Sequence, residues 1–286
     1  MKEIFYSRMA RRTNTYIYIL LIVACIFIGI GFLYRRTVEP FITYSLPRII
    51  WTYWHDPQIP PKIEKIMRER ETVLSSWEHR LLNDETVYDY IPRDAFPEGY
   101  SELGHQHKAD WIRLYLLKTY AGCWMDASII VNRSDEIEEM YEESISIRSE
   151  LSAYSDSGDS TYIETFLIMA PAESKVIEIW FNEYTSAIIA GFIPYKKKVT
   201  SKIDVSNCFA GDDDTYLTTS AALQYTLRVH LYTKPSMVLK DRYKTMYKYL
   251  AECNHDSKCV IDKVKNTPID QQPPNIKLTR FNREYL

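Results

Sequence analysis

The chain has 286 residues, 46% of them hydrophobic and 26% charged, the composition of a globular protein with a core to bury. Its formal net charge is -3, and without a domain-wide basic excess to neutralise phosphates, nucleic acid is excluded as the expected partner.

The first predicted element is the uncharged run TNTYIYILLIVACIFIGIGFLY at residues 13–34. At ~1.5 Å of rise per helical residue it is long enough to cross a ~30 Å hydrocarbon core, so it predicts a transmembrane signal anchor. A cleaved leader has a shorter apolar region followed by small residues. Here the run ends in Phe32-Leu33-Tyr34 and two arginines. Lys2, Arg8, Arg11 and Arg12 precede the span and Arg35, Arg36 and Arg48 follow it, which by the positive-inside rule puts the N-terminus in the cytoplasm. The expectation is a type II single-pass membrane protein, its domain facing outward or, in a eukaryotic cell, into the Golgi or ER lumen. Residues 1–12 then form a cytoplasmic tail, 35–46 a stem and 47–286 one α/β domain.

RIIWTYW (48–54) reads as a buried first strand, apolar and aromatic on both faces. PPKIEKIMRERETVLSSW follows with Ile63, Ile66, Met67, Arg70, Val73, Leu74 and Trp77 at spacings of three and four, and with prolines before its first turn, an amphipathic helix. EHRLLND predicts a second strand, and YDYIP a loop or further helix. HKADWIRLYLLKTY predicts a strong helix with Ala109, Ile112, Leu116 and Tyr120 as its apolar stripe, and its Asp110 and Arg113 share a face. The corner Ala121-Gly122 then leads into Cys123-Trp124-Met125, the lone acid Asp126, and the apolar run Ile129-Ile130-Val131. Strand, helix, strand, helix, strand is the signature of parallel α/β layering.

In such sheets ligands sit at the carboxyl ends of strands, so Trp54-His55-Asp56 and Asp126-Ala127-Ser128 are the places to look. His55, His105 and His107 lack carboxylate or cysteine partners at metal-site spacing and read as surface or capping residues. Asp212, Asp213 and Asp214 read either as a solvated turn after Gly211 or as acids reaching a donor or acceptor, and so are the candidate catalytic residues. Cys253 and Cys259 fit a small disulfide loop better than a metal site built with His255. Asn132-Arg133-Ser134 is an acceptor pattern for N-glycosylation if the domain is lumenal.

The blocks LPRIIWTYW and HKADWIRLYLLKTYAGCWMDASI, in this order and at this spacing, resemble those of sugar-nucleotide transferases over residues 47–131. The resemblance is to capsular polysaccharide synthesis proteins, akin to family 32 glycosyltransferases and more distantly to glucosylating bacterial toxins. ETFLIMAPAESKVIEIWFNEY and PPNIKLTRFNREYL carry a fainter likeness. The resemblance implies a GT-A fold, a Rossmann-like domain holding a nucleotide-diphosphate sugar with Mn²⁺ or Mg²⁺, and a retaining transfer to a glycan or glycolipid acceptor. Position by position it implies donor contacts at Asp110 and Arg113, nucleobase stacking at Trp54, and at Asp126 the first acid of a metal-binding DXD motif. Ser128 stands where that motif has its second acid, so the motif is degenerate and Ser128 is a weak ligand at best.

The physical case is that a diphosphate leaving group develops negative charge, which Mg²⁺ or Mn²⁺ on hard oxygen ligands stabilises. Two other classes stay open. One is a homologue that binds glycans or nucleotide sugars without transferring them, and the other a metal-dependent phosphohydrolase using Asp126 with Asp212–Asp214.

Overall fold

β1 (Ile49–Tyr53) is flanked by β2 (Glu78–Leu82) and β3 (Gly122–Met125), parallel to both. Pairing on both sides makes it an interior strand, which is why Ile50 and Trp51 are both fully buried although they point to opposite faces. The computed structural model describes residues 44–158, 160–209 and 215–286, within a unit that begins at Tyr44. The predicted membrane span and Asp212–Asp214 lie outside the described residues, and among the described residues no helix is long and apolar enough to cross a membrane.

β4 (Ile129–Val131) follows β3. β5 (Leu151–Ser155), β6 (Ile163–Ala170) and β7 (Met237–Asp241) complete a six-stranded sheet in the order β2-β1-β3-β6-β5-β7. The expectation of purely parallel layering is corrected by β6, which runs antiparallel to both β3 and β5. A short connection joins β5 to β6, too short for the crossover a parallel neighbour needs, so the pair folds as a hairpin. The fold class is therefore α/β with a mixed sheet.

The corner before β3 is tight. Ala121 has φ 60°, and Gly122, at φ 103°, passes so close to β1 that a Cβ would lie 2.7 Å from the Ile49 carbonyl oxygen. Only glycine fits there. Trp51 Nε1 donates to the Ala121 carbonyl over 2.8 Å and pins the turn to β1. The strand predicted after this corner is in fact two. The chain breaks at Asp126–Ser128, and β4 leaves the main sheet to pair antiparallel with β8 (Asn275–Lys277).

α1 (Pro61–Val73) buries Ile63, Ile66, Met67 and Arg70 as its spacing predicts, although it ends before Leu74 and Trp77. α2 (His105–Tyr120) is buried more widely than its predicted stripe: Trp111, Leu114 and Leu117 are fully buried alongside Ile112 and Leu116, while Tyr120 is exposed. The cause is that α2 lies between the sheet and a further helix. α3 (Asp135–Ile147) covers the other face beside β5 and β7, and α4 (Lys175–Ala190) packs on α2. α5 (Phe192–Thr200) and α6 (Thr218–Tyr225) pack in turn on α4.

Alternation along the central strands divides the core. Trp51 and Trp124 join the cluster under α2 and α4, whereas Ile50, Cys123 and Met125 face the cluster under α3. A third cluster lies behind β8, where α7 (Lys248–Glu252) and α8 (Ser257–Asn266) are tied by the expected disulfide between Cys253 and Cys259. The last helix, α9 (Arg280–Arg283), opens with a capping box in which Thr279 and Asn282 bond reciprocally.

Candidate functional site

β1 and β3 are parallel neighbours, so their carboxyl ends lie at the same edge of the sheet, and α2, running back along them, brings its N-terminal half to that edge. Asp126, one residue beyond β3, is the centre of what gathers there. Its amide donates to the Phe166 carbonyl over 2.9 Å, and its own carbonyl accepts from Arg70 Nη1 over 3.1 Å. Arg70 Nη2 also donates to Thr52 Oγ1 over 2.8 Å, and Thr52 Oγ1 donates in turn to the Met125 carbonyl over 2.9 Å. Arg70 thus clamps the ends of β1 and β3 together from α1. Burial pulls its guanidinium down to about 10, still charged at neutral pH.

The Asp126 carboxylate is held from three directions. Oδ1 accepts from Trp124 Nε1 at 2.9 Å and from Arg113 Nη2 at 3.2 Å. Oδ2 accepts from Lys277 Nζ at 2.7 Å, an ammonium carried by β8 from 151 residues further along the chain. Burial raises a carboxyl pKa, but Lys277 and Arg113 outweigh it here, and Asp126 is held below its ordinary value.

Arg113 bridges the two acids, with Nη1 2.5 Å from Asp110 Oδ1 and its guanidinium carbon 4.8 Å from the centre of the Trp124 ring. Asp110 and Arg113 are only 2% and 5% exposed. The surface ion pair that an (i, i+3) spacing can produce is therefore not what forms. Burial pushes Asp110 up, to about 6, against the pull of Arg113. Buried as it is, the pair reaches the sheet edge through the contact of Arg113 with Asp126. Asp110 Oδ2 and Arg113 Nε are buried without a partner.

Trp54 is half-buried at the end of β1, stacked on His55, with Arg283 of α9 5.7 Å from its ring centre. His55 in turn stacks on His105 at 3.7 Å, and the burial and the neighbouring imidazole lower its pKa. Tyr216 completes the surroundings: burial and the charges of Asp110 and Asp126 raise its phenol, while Arg283 opposes them.

The Ser128 hydroxyl donates to the Leu278 carbonyl at 3.0 Å and accepts from Lys277 Nζ at 2.9 Å, tying the start of β4 to the end of β8. Among the described residues no group of three or more His, Cys, Asp or Glu side chains is placed to hold a metal ion. Asn132 Nδ2, the expected glycan acceptor, donates to the Pro273 carbonyl at 2.8 Å and to Gln272 Oε1 at 3.2 Å, and a glycan, which replaces one of its two hydrogens, would leave at most one of these bonds. Of the predicted site residues, Trp54, Asp110, Arg113, Asp126 and Ser128 are all described at this sheet edge.

Three contributors were not singled out for the site. Arg70 had a signal, a charge inside an apolar helical stripe; Trp124 stood two residues before the acid; Lys277 lay in a segment whose local pattern says nothing of Asp126.

The chain is thus an α/β domain with a mixed sheet that carries a paired acid, Asp126, just beyond the carboxyl end of β3. The chain belongs to the capsular polysaccharide synthesis protein family, whose model matches residues 36–187, a span that includes Trp54, Asp110, Arg113 and Asp126. It is similar to the O-glycosyltransferase PaGT of Phomopsis amygdali, 25% identical over 146 residues, which cover 46% of this chain and 33% of that protein. The match thus spans about a third of that relative's length. Among solved structures it resembles a glycosyltransferase involved in glycosylation of the major capsid of PBCV-1, at TM-score 0.39 and 12% identity over 84% of this chain and 98% of that one. It also resembles the apo glycosyltransferase GlyE of Streptococcus pneumoniae TIGR4, at TM-score 0.37 and 16% identity over 82% and 55% of the two chains. The PaToxG glycosyltransferase gives TM-score 0.37 and 12% identity over 85% of each.

Proposed function

We propose that the domain is a glycosyltransferase of GT-A type that takes a sugar from a nucleotide-diphosphate donor and passes it to a glycan or glycolipid acceptor. The observation that carries the reading is the convergence on Asp126, at the carboxyl end of β3, of Arg113, Trp124 and Lys277, with Arg113, Trp124 and Asp126 lying within the segment that matches the family. The half-buried Trp54 beside Arg283 offers a ring face to a nucleobase and a guanidinium to a phosphate. Retention of anomeric configuration is the outcome implied by the family resemblance. The uncharged span at residues 13–34 supports a single-pass anchor with the catalytic domain on the far side of the membrane from the N-terminus.

The experiment is to incubate the purified protein with UDP-, GDP- and dTDP-sugars and measure release of nucleoside diphosphate, with Asp126→Ala as the control. One donor should be consumed selectively, and Asp126→Ala should lower the rate by roughly 100-fold, the scale on which a preorganised charge contributes. Consumption of simple phosphate esters irrespective of the sugar would favour the hydrolase. Tight donor binding without turnover on any acceptor would favour a non-catalytic binder.

A further inference from the structure

A divalent ion of the Mg²⁺ kind needs near-octahedral oxygen ligands at roughly 2.0–2.1 Å, with one or two carboxylates among them. The residues at Asp126 do not fit it. Oδ1 already accepts two hydrogen bonds, from Trp124 and Arg113, and Oδ2 is 2.7 Å from the Lys277 ammonium. Ser128, in the position of the second acid, gives its hydroxyl hydrogen to Leu278 and faces the same ammonium with its lone pair. The seat between Asp126 and Ser128 is thus filled by a side-chain cation bonded to both.

The charges around the seat agree. Arg70, Arg113, Lys277 and Arg283 are the cations that act on Asp126 or on Lys277, and Asp110, Asp126 and, beside Arg70, Glu71 are the carboxylates. Four positive charges against three negative leave a surplus of one positive. Bringing a dication into that surplus is repulsive, whereas an anionic diphosphate is attracted to it. Lys277 has spent two of its three ammonium protons, on Asp126 and Ser128, and its side chain remains 12% exposed.

We infer that Lys277 takes the place of a divalent ion, so that a nucleoside diphosphate is bound by Lys277 and Arg283 without metal. The inference rests on the transferase reading for the identity of the ligand. Asp126 becomes the anchor that holds the ammonium in place, with Arg113, Asp110 and Trp124 fixing Asp126. Lys277 is one side chain from the chain's last strand, so the phosphate site is completed only when β8 is seated against β4.

The test is calorimetric titration of the full chain with UDP, GDP and dTDP, once in EDTA and once in Mn²⁺, alongside Lys277→Ala and Lys277→Arg. One diphosphate should bind the wild type with the same affinity, within about twofold, in both conditions. Lys277→Ala should weaken it at least about tenfold, the scale of one charge-assisted hydrogen bond, and Lys277→Arg should recover most of the loss. Binding in Mn²⁺ that disappears in EDTA overturns the inference and leaves the transferase reading standing. Unchanged affinity in a folded Lys277→Ala also overturns it. Binding of none of the three diphosphates in either condition overturns both. Should Lys277→Ala not fold, the comparison of EDTA with Mn²⁺ on the wild type still decides.

Discussion

Asp110 and Asp126 are two carboxylates served by one guanidinium, yet burial moves one up and pairing moves the other down. Asp126 has Lys277 as a second cation, whereas Asp110 has only Arg113 and one buried oxygen left without a donor. That asymmetry has a stability consequence with a definite sign. With a folded value near 6 against an ordinary 3.8, native Asp110 binds more protons than the unfolded chain does between those values. Its contribution to stability is therefore full below the ordinary value and is lost as pH rises through about 6. Asp110→Asn cannot titrate and should lack this component. The stability difference between wild type and variant, from urea unfolding, should shift by about 2 kcal/mol between about pH 4.5 and pH 7, the wild type losing relative stability as pH rises. A difference that stays flat with pH would mean that Asp110 is ionised throughout and that Arg113 outweighs the burial.

At the scale of elements, β8 is the piece on which the site most depends and the one with least support of its own. It has three residues and one partner strand, so its position is set by what lies behind it: Ile276 and Leu278 pack with Cys253, Tyr249, Val260 and Ile261 of the α7–α8 unit. The Cys253–Cys259 disulfide closes a short loop in that unit, and by loop-closure entropy it stabilises by about 2 kcal/mol. Replacing both cysteines with serine should lower unfolding stability by about that amount and weaken nucleoside diphosphate binding, while the far-UV circular dichroism stays close to that of the wild type. Lower stability with unchanged binding would separate β8 from its backing.

The same element shows what local sequence carries and what it does not. β1 and β3 were legible as continuous apolar runs and α1 and α2 from their helical spacing, and the site residues Trp54 and Asp126 fall at the ends of β1 and β3. The antiparallel entry of β6 was not legible, since the pattern of a buried strand is the same in either direction. Nor was the split of β3 from β4, because Ile129-Ile130-Val131 suits the second sheet as well as the first. Nothing in the local pattern around Lys277 points to Asp126; only the long return of the chain turns it into the partner of that acid.

For the whole molecule, local and global charge have opposite signs. The chain carries 35 Lys and Arg against 38 Asp and Glu, a net -3, while around Asp126 and Lys277 four cations meet three carboxylates. Long-range attraction of an anionic donor is set by the first balance and short-range retention by the second. Raising ionic strength shortens the screening distance from about 10 Å at 0.1 M to about 3 Å at 1 M, so it should touch mainly what acts beyond contact range. An anion approaching a net negative protein gains no steering that salt could remove, so its association rate should stay within about threefold across that range. Contacts at hydrogen-bond distance in a partly buried site are screened less, so dissociation should change little more. Stopped-flow binding of a fluorescent nucleoside diphosphate over a salt series would measure both rates. A steep fall in association with salt would instead mean that the four cations project a field past the protein's own negative charge, and that donor capture begins before contact.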